Sequence, residues 1–141
     1  MMLQVGVKAF LRNNDGKYLF LHRSSVKYPG TRGTWDIPGG RIEIGSRLID
    51  NLRREVKEET QLNIISDFEP VLIAAQDIIP NDEKHVVRLT YCARTEGEPV
   101  LDTTENVEYR WLSLAELKQW EDLDIYAKEL IEKGYLNTFE D

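Results

Sequence analysis

The sequence predicts an α+β fold in which helices cover a mixed β-sheet. Strand-like apolar segments lie near the start and in the second half of the chain, a helical pattern separates them, and two short helical patterns follow. Strands and helices mixed in this order imply a sheet with helices packed on it. The chain has 141 residues, of which 41% are hydrophobic. This is enough to fill one core, so we expect a single domain over residues 1–141.

The first predicted element is a β-hairpin. Residues 5–11 are mostly apolar, and the Asn-Asn-Asp-Gly segment at 13–16 supplies the residues that a tight turn needs. Residues 18–21 are then the antiparallel partner strand. A loop containing several Pro and Gly residues follows and leads into the segment Trp-Asp-Ile-Pro-Gly-Gly at 35–40. Loops of this kind often carry function.

The longest predicted helix covers residues 46–60. Leu48, Leu52 and Val56 recur at helical spacing, and no Gly or Pro interrupts the segment. Ser46 is the type of residue that caps a helix start, so we expect it to do so here.

The second half of the chain predicts three strands and two short helices. The strands are expected at 62–75, 85–94 and 106–112, with a polar turn at 80–83 between the first two. Ser113 and Glu116 have the spacing of a capping box that opens the first short helix. The second should cover 124–133 and end at Gly134.

Charge and composition exclude several classes of protein. The net charge of -7 argues against a protein that binds nucleic-acid polymers, because that affinity comes mainly from clustered Lys and Arg. No segment has the uninterrupted apolar length of a membrane span, and the start lacks a signal-peptide pattern. We therefore expect a soluble, cytoplasmic protein without a membrane partner. Cys92, the only cysteine, is predicted to be a buried thiol.

The charges are distributed unevenly along the chain. Residues 1–60 contain 11 Lys and Arg against 7 Asp and Glu, whereas residues 61–141 contain 7 against 18. A basic excess in the first part suits a small anionic ligand, although ordinary variation of surface charge explains it equally well.

Three glutamates dominate the long helix. Glu55, Glu58 and Glu59 stand at positions i, i+3 and i+4, so their carboxylates lie on one side of the helix. A divalent cation would turn their mutual repulsion into binding, and oxygen ligands suit Mg²⁺ or Mn²⁺. On its own, the same pattern is also that of a solvated acidic helix face.

The surrounding sequence resembles the Nudix box of the MutT-like Nudix hydrolases. The segment Gly-Arg-Ile-Glu-Ile-Gly-Ser at 40–46 is followed, seven residues later, by Arg-Glu-Val-Lys-Glu-Glu-Thr-Gln-Leu at 54–62. Two positions depart from the family pattern, which has Glu where this chain has Ser46 and Gly where it has Gln61. Ser46 cannot replace the missing charge beside Arg54, for which Glu43 is the candidate partner. A non-glycine residue in the left-handed conformation expected at position 61 costs roughly 1–2 kcal/mol.

The resemblance implies an alpha-beta-alpha sandwich and Mg²⁺-dependent hydrolysis of the diphosphate bond in a nucleoside triphosphate or another nucleoside diphosphate linked to a further group. Mn²⁺ is a possible substitute. By position, Glu55, Glu58, Glu59 and the Gly39 carbonyl would hold the metal, and Glu55 would also orient or deprotonate the water. The expected partner is a small nucleotide-like substrate, and a homodimer is possible.

Further candidates come from loops and strand ends. Members of the family often use an additional loop carboxylate, for which Glu105 is the candidate, and Arg23 would pair with a phosphate. Solvated surface charge is the alternative for both. Trp35 is either a base-stacking residue or a core aromatic, and Tyr28 is similarly open.

Three functions remain compatible with the sequence. An active hydrolase is the first, and a catalytically weakened nucleotide-binding or regulatory module, with Ser46 as the mark of its decay, is the second. The third is an interaction domain whose acidic helix is only solvated, and the spacing of the whole box argues against it.

Overall fold

The computed structural model describes residues 1–24, 35–65 and 70–140. These residues form seven strands and three α-helices, with a 3₁₀ turn at Asn137–Phe139. The strands are β1 Met2–Arg12, β2 Tyr18–Arg23, β3 Trp35–Asp36, β4 Gly39–Arg41, β5 Val71–Asn81, β6 Lys84–Arg94 and β7 Asn106–Leu112. The helices are α1 Leu48–Thr60, between β4 and β5, and α2 Leu114–Gln119 and α3 Ile125–Glu132, both after β7.

The strands form one mixed sheet that divides at the first hairpin. Strand β1 runs parallel to β6 along its whole length, and β6 is antiparallel to β5. Strands β1 and β2 pair at Arg12 and Tyr18, beside the turn. Farther along, β1 pairs with β4, while β2 pairs with β3 and β7.

Helices cover both faces of the sheet. Successive side chains along a strand point to opposite faces, so both faces carry apolar side chains that the helices bury. Phe10, Tyr18 and Phe20 pack with α2 and α3 on one face. Leu19 and Leu21, from the alternate positions of β2, pack with α1 on the other. This alternation confirms the predicted α+β class and its alpha-beta-alpha layers. No helix in the described part of the chain is long and apolar enough to cross a membrane.

The predicted elements are mostly correct, and their boundaries differ for physical reasons. The strand expected from residue 62 begins at Val71 and continues to Asn81, through Pro80. Strand β5 lies at one edge of the sheet. Proline is tolerated on an edge strand because fewer N–H groups of that strand need partners. The capping box at Ser113 is confirmed, and so is the burial of Cys92.

The prediction that Ser46 caps α1 is wrong. Arg47 occupies the N-cap position without a side-chain hydrogen bond, and the helix begins at Leu48. Ser46 instead donates its backbone N–H to the Glu43 carbonyl at 3.0 Å, in a turn through Gly45, whose φ is +89°. The serine therefore belongs to the loop that leads into the helix.

Gln61 ends α1 in the left-handed conformation predicted for its position. Its φ of 61° is positive, unlike that of any other non-glycine residue in the described segments. We expect Gln61→Gly to stabilise the protein by about 0.5–1 kcal/mol. The change relieves about 1–2 kcal/mol of backbone strain, which exceeds the entropic cost of a more flexible unfolded chain. Urea unfolding measures the change. Asn63→Gly, at an exposed position without a positive φ, should destabilise the protein; equal effects of the two changes would contradict the strain.

Candidate active site

A cavity of about 910 Å³ lies where the sheet divides and the β4–α1 connection crosses it. Its lining carries opposite charges. The acidic residues are Glu43, Glu55, Glu58, Glu59, Asp36, Asp102 and Glu105, and the basic ones are Lys8, Arg23, Arg41, Lys84 and Arg88. Such a lining can hold a cation and an anion side by side.

Two glycines let the backbone of β4 approach α1 and β1 closely. A Cβ atom on Gly39 would lie 2.0 Å from the Val7 carbonyl oxygen, and one on Gly40 would lie 2.7 Å from the Glu55 carboxyl group. A side chain at position 39 would displace the strand from β1, and one at position 40 would displace the Glu55 carboxyl group. The Gly-Gly pair therefore makes room for Glu55 beneath β4.

Glu59 is the most enclosed of the three glutamates. Its Oε1 accepts a hydrogen bond from the Gly39 N–H at 2.9 Å, and its Oε2 accepts one from the Asn106 side chain at 3.3 Å. Burial raises the pKa of Glu59 to about 7, although the charge of Lys8 and the Gly39 N–H act in the opposite direction. Burial also raises the pKa of Glu55, against the nearby charge of Arg54.

Glu58 is held differently, on the solvent side of the helix. Both of its oxygens accept hydrogen bonds from Arg54 Nη1 at 3.1 Å, and 59% of its side chain is exposed. Arg54 also donates to Glu55 at 3.2 Å and lies 3.4 Å from Glu43. Glu43 is thus one of three carboxylates beside Arg54, in agreement with its prediction as a partner of that arginine.

The donors at this site suit a hard divalent cation. Glu55 and Glu59 are carboxylates that burial makes costly to ionise, and a cation would offset that cost. Over residues 1–24, 35–65 and 70–140, no three Asp, Glu, His or Cys side chains already gather as a metal site. In this structure Arg54 donates hydrogen bonds to Glu55 and Glu58, so a cation and Arg54 would share these two carboxylates.

A buried ionic network forms the basic side of the cavity. Asp36 is 3% exposed and is surrounded by Lys8 at 3.3 Å, Arg23 at 3.0 Å and Arg88 at 3.0 Å. Burial alone would raise the pKa of Asp36, but the charges of Arg88 and Lys8 outweigh it and hold that pKa well below its usual range. Arg88 also contacts Asp124, the N-cap of α3, at 3.2 Å.

The candidates Arg23 and Glu105 both line the cavity. Arg23 ends β2 at a bulge, where the pairing with β7 shifts register after His22. The Ser24 N–H donates to the Glu105 carbonyl at 2.9 Å, which ties the Glu105 loop to the end of β2. The structure thus brings Arg23 and Glu105 to the same cavity as the glutamates of α1.

Trp35 lies in the core, and its packing favours the second of its two interpretations. It is 4% exposed, His22 stacks on it with 4.6 Å between ring centroids, and the Arg110 guanidinium lies 4.5 Å from its centroid. A ring so covered has little surface left for a nucleotide base. Tyr28 lies outside the described residues.

Sequence reasoning missed Lys8, Asp36 and Arg88. Each is a charged residue within a strand whose neighbours are largely apolar, at positions enclosed by the fold. Because buried charges require partners, isolated charges in predicted core strands are the signal that could have identified the network.

Comparison with known proteins identifies the family of this chain. The NUDIX domain model matches residues 2–133. A MutT-like protein of Streptomyces ambofaciens is 24% identical over 91% of this chain and 75% of its own length. The nucleoside triphosphatase NudI of Salmonella typhimurium strain LT2 is 27% identical, covering 89% and 94% respectively.

The fold is also that of a solved relative. The crystal structure of a MutT protein from Methanosarcina mazei Go1 superposes with a TM-score of 0.80 and 25% identity, covering 99% of this chain and 96% of that one. Members of this family act on the pyrophosphate linkage of nucleotide-like substrates and generally use divalent metals. The chain belongs to the Nudix family and is a Nudix-type pyrophosphohydrolase.

Proposed function

We propose that this protein hydrolyses a diphosphate bond of a nucleoside triphosphate, or of a related nucleoside diphosphate derivative, with Mg²⁺ as its metal. The observation that carries the proposal is the cavity in which the α1 glutamates face Lys8, Arg23 and Arg88. A phosphate chain and its cation need this pairing of charges. We also propose that residues 1–141 act as one domain, which the shared sheet supports.

The metal would be held by Glu55, Glu58, Glu59 and the Gly39 carbonyl. All four residues line the cavity and offer oxygen donors, as Mg²⁺ prefers, with Mn²⁺ as a substitute. When bound, the cation would neutralise phosphate charge and acidify a water molecule. Glu58 would have to exchange its hydrogen bonds with Arg54 for this role.

The other side chains would bind and orient the substrate. Arg23 has a fork of donors suited to phosphate oxygens, and Lys8 carries a charge next to Glu59. Glu55 would orient or deprotonate the attacking water, because its raised pKa makes it a better proton acceptor than an ordinary glutamate. Glu105 would assist from its loop.

A nucleotide panel with matched variants tests the proposal. We expect release of phosphate or pyrophosphate with Mg²⁺ and none with a chelator. Glu58→Gln should reduce turnover at least about tenfold, equivalent to 1.4 kcal/mol of barrier. The control is Glu121→Gln, whose side chain is 93% exposed and lies outside the cavity lining.

The possible results separate the candidate functions. Equal rates for wild type and Glu58→Gln would refute the role of Glu58. Tight nucleotide binding without turnover would instead support the weakened binding module that the loss of the box glutamate at Ser46 suggests.

A further inference from the structure

Asn51 is a fully buried residue of α1 whose polar side chain the proposed chemistry does not use. It is 0% exposed, although asparagine is a weak helix former and a buried amide is costly unless it is hydrogen-bonded. Its Oδ1 accepts hydrogen bonds from the Glu43 backbone N–H at 3.0 Å and from Arg54 Nη2 at 3.1 Å. Its Nδ2 donates to the Arg41 carbonyl at 3.1 Å. These contacts offset the cost of burying the amide.

The contacts of Asn51 join three parts of the structure. Arg41 ends β4, Glu43 lies in the connection from β4 to α1, and Arg54 is three residues farther along the helix. A carbonyl oxygen has two lone pairs, and Oδ1 uses both of them here. The amide therefore fixes the β4–α1 connection and the guanidinium relative to each other.

Within the described residues, Arg54 also contacts three carboxylates, and none of them is as buried as Asn51. The Glu43 side chain, 3.4 Å away, is 71% exposed, and an ion pair so exposed holds a long side chain only weakly. Glu55 and Glu58 are the carboxylates that Arg54 would share with a cation. Asn51 is therefore the partner that stays available and fixed when a cation binds.

A neutral partner suits this place in the helix. Glu55, Glu58 and Glu59 already concentrate negative charge on one side of α1, and a further carboxylate would add repulsion. The Asn51 amide holds Arg54 without adding charge and without offering the cation another carboxylate. A guanidinium released from this amide would instead close on the two glutamates it already contacts and compete with the cation for their oxygens.

We infer that Asn51 is a positioning residue, which fixes Arg54 so that the two glutamates beside this arginine remain available to a metal. It thereby takes over the support of Arg54 for which the family pattern has a glutamate at the position of Ser46. The inference rests on the proposed function, because it requires a divalent cation at the α1 glutamates. It also changes the meaning of Ser46: the missing glutamate is compensated from within α1 and does not mark decay.

Calorimetric titration with Mn²⁺ alone, without a substrate, tests the inference. Leucine has nearly the size of asparagine and favours helices, so Asn51→Leu should fold, which its melting temperature checks. The Kd for Mn²⁺ should rise about tenfold, as is usual when a residue that orients a metal ligand is lost. Asn51→Ala removes the same hydrogen bonds with a smaller side chain and should give the same increase, so either variant suffices. Asn63→Leu, at an exposed position, is the matched control and should leave the Kd unchanged.

Two rescue variants separate positioning from a purely structural role. Adding Ser46→Glu to Asn51→Leu returns a carboxylate to Arg54 and should restore the Kd to within about threefold of wild type. Asn51→Asp can still accept from Arg54 and from the Glu43 N–H, but it cannot donate to the Arg41 carbonyl. It should therefore lower the melting temperature while keeping the Kd in the same range as the first rescue variant.

Two results would overturn the inference. One is an equal Kd for wild type, Asn51→Leu and Asn51→Ala, and the other is a raised Kd that neither rescue variant restores. Mn²⁺ binding by wild type without hydrolysis of any nucleotide in the panel would refute the proposed function alone. The comparison of Kd values would then still decide the role of Asn51.

Discussion

Glu59→Gln is expected to make the protein more stable above pH 7 while removing most of its hydrolytic activity. Burial raises the pKa of Glu59 to about 7 in the folded protein, whereas an unperturbed glutamate has a pKa of about 4.3. Below both values the carboxyl is protonated in either state and has no effect on stability. As the pH rises between them, only the unfolded chain ionises, so the free energy of unfolding falls.

The full loss of stability is present above pH 7 and amounts to roughly 4 kcal/mol. Glutamine carries no charge and can still accept the Gly39 hydrogen bond, so it should remove this cost. Urea unfolding between pH 4 and pH 9 measures the effect: wild type should lose more stability from pH 4 to pH 7 than the variant does. Activity should fall at least about tenfold because a proposed metal ligand is lost.

Glu58→Gln is the matched control for this prediction. Its side chain is 59% exposed, so stability should change little, although activity should also fall. Adding Mg²⁺ should raise the melting temperature of wild type more than that of Glu59→Gln, because a metal bound to the folded state stabilises it. Parallel pH profiles for wild type and Glu59→Gln would contradict the buried, costly carboxylate.

Asp36→Asn is expected to destabilise the protein by about 3–5 kcal/mol, the usual cost of removing one partner from a buried ion pair. Lys8, Arg23 and Arg88 would lose the carboxylate on which they converge, and Arg88 is too buried for water to replace it. Urea unfolding at pH 7 measures this loss. Activity should fall as well, because the same residues form the basic side of the cavity.

The pH dependence provides a second check on Asp36. Although burial opposes ionisation, Arg88 and Lys8 depress the pKa of Asp36 in the folded state. Its contribution is therefore complete above the unfolded pKa of about 3.9 and disappears as the pH falls toward the folded value. The difference in stability between wild type and Asp36→Asn should shrink steadily as the pH falls below 4. The control is Asp77→Asn, because the Asp77 side chain is 72% exposed; it should change stability by no more than about 0.5 kcal/mol. If Asp77→Asn destabilised the protein as much as Asp36→Asn, the buried network would have no special role in stability.

The three glutamates show how tertiary structure differentiates residues that the sequence presents as equivalent. Helical spacing predicted that Glu55, Glu58 and Glu59 share one side of α1, and all three line one cavity. Their surroundings nevertheless differ: Glu59 is enclosed by Gly39 and Asn106, while Glu58 faces solvent beside Arg54. The partners come from distant segments, so periodicity alone could not distinguish the three.

The sequence by itself determined the α+β class, the order of most elements and the position of the glutamate helix. These features depend on local patterns: alternation in strands, helical spacing, turn residues and the capping box at Ser113. It also determined the left-handed end of α1 at Gln61 through the resemblance to the family. Ser46 was misassigned because the same residue type suits a cap or a loop turn.

Only the tertiary structure decided which side chains meet around the cavity. Lys8, Asp36 and Arg88 are separated by dozens of residues along the chain, and they converge because β1 and β6 run parallel and β3 comes alongside β2. The pairing of β1 with β6 also places Gly6 next to Arg88. The pairing of β3 with β2 encloses Trp35 in the core. Sheet pairing and burial between distant segments set these contacts and the pKa of each carboxylate, because electrostatic interactions depend on distance in space and on exclusion of water.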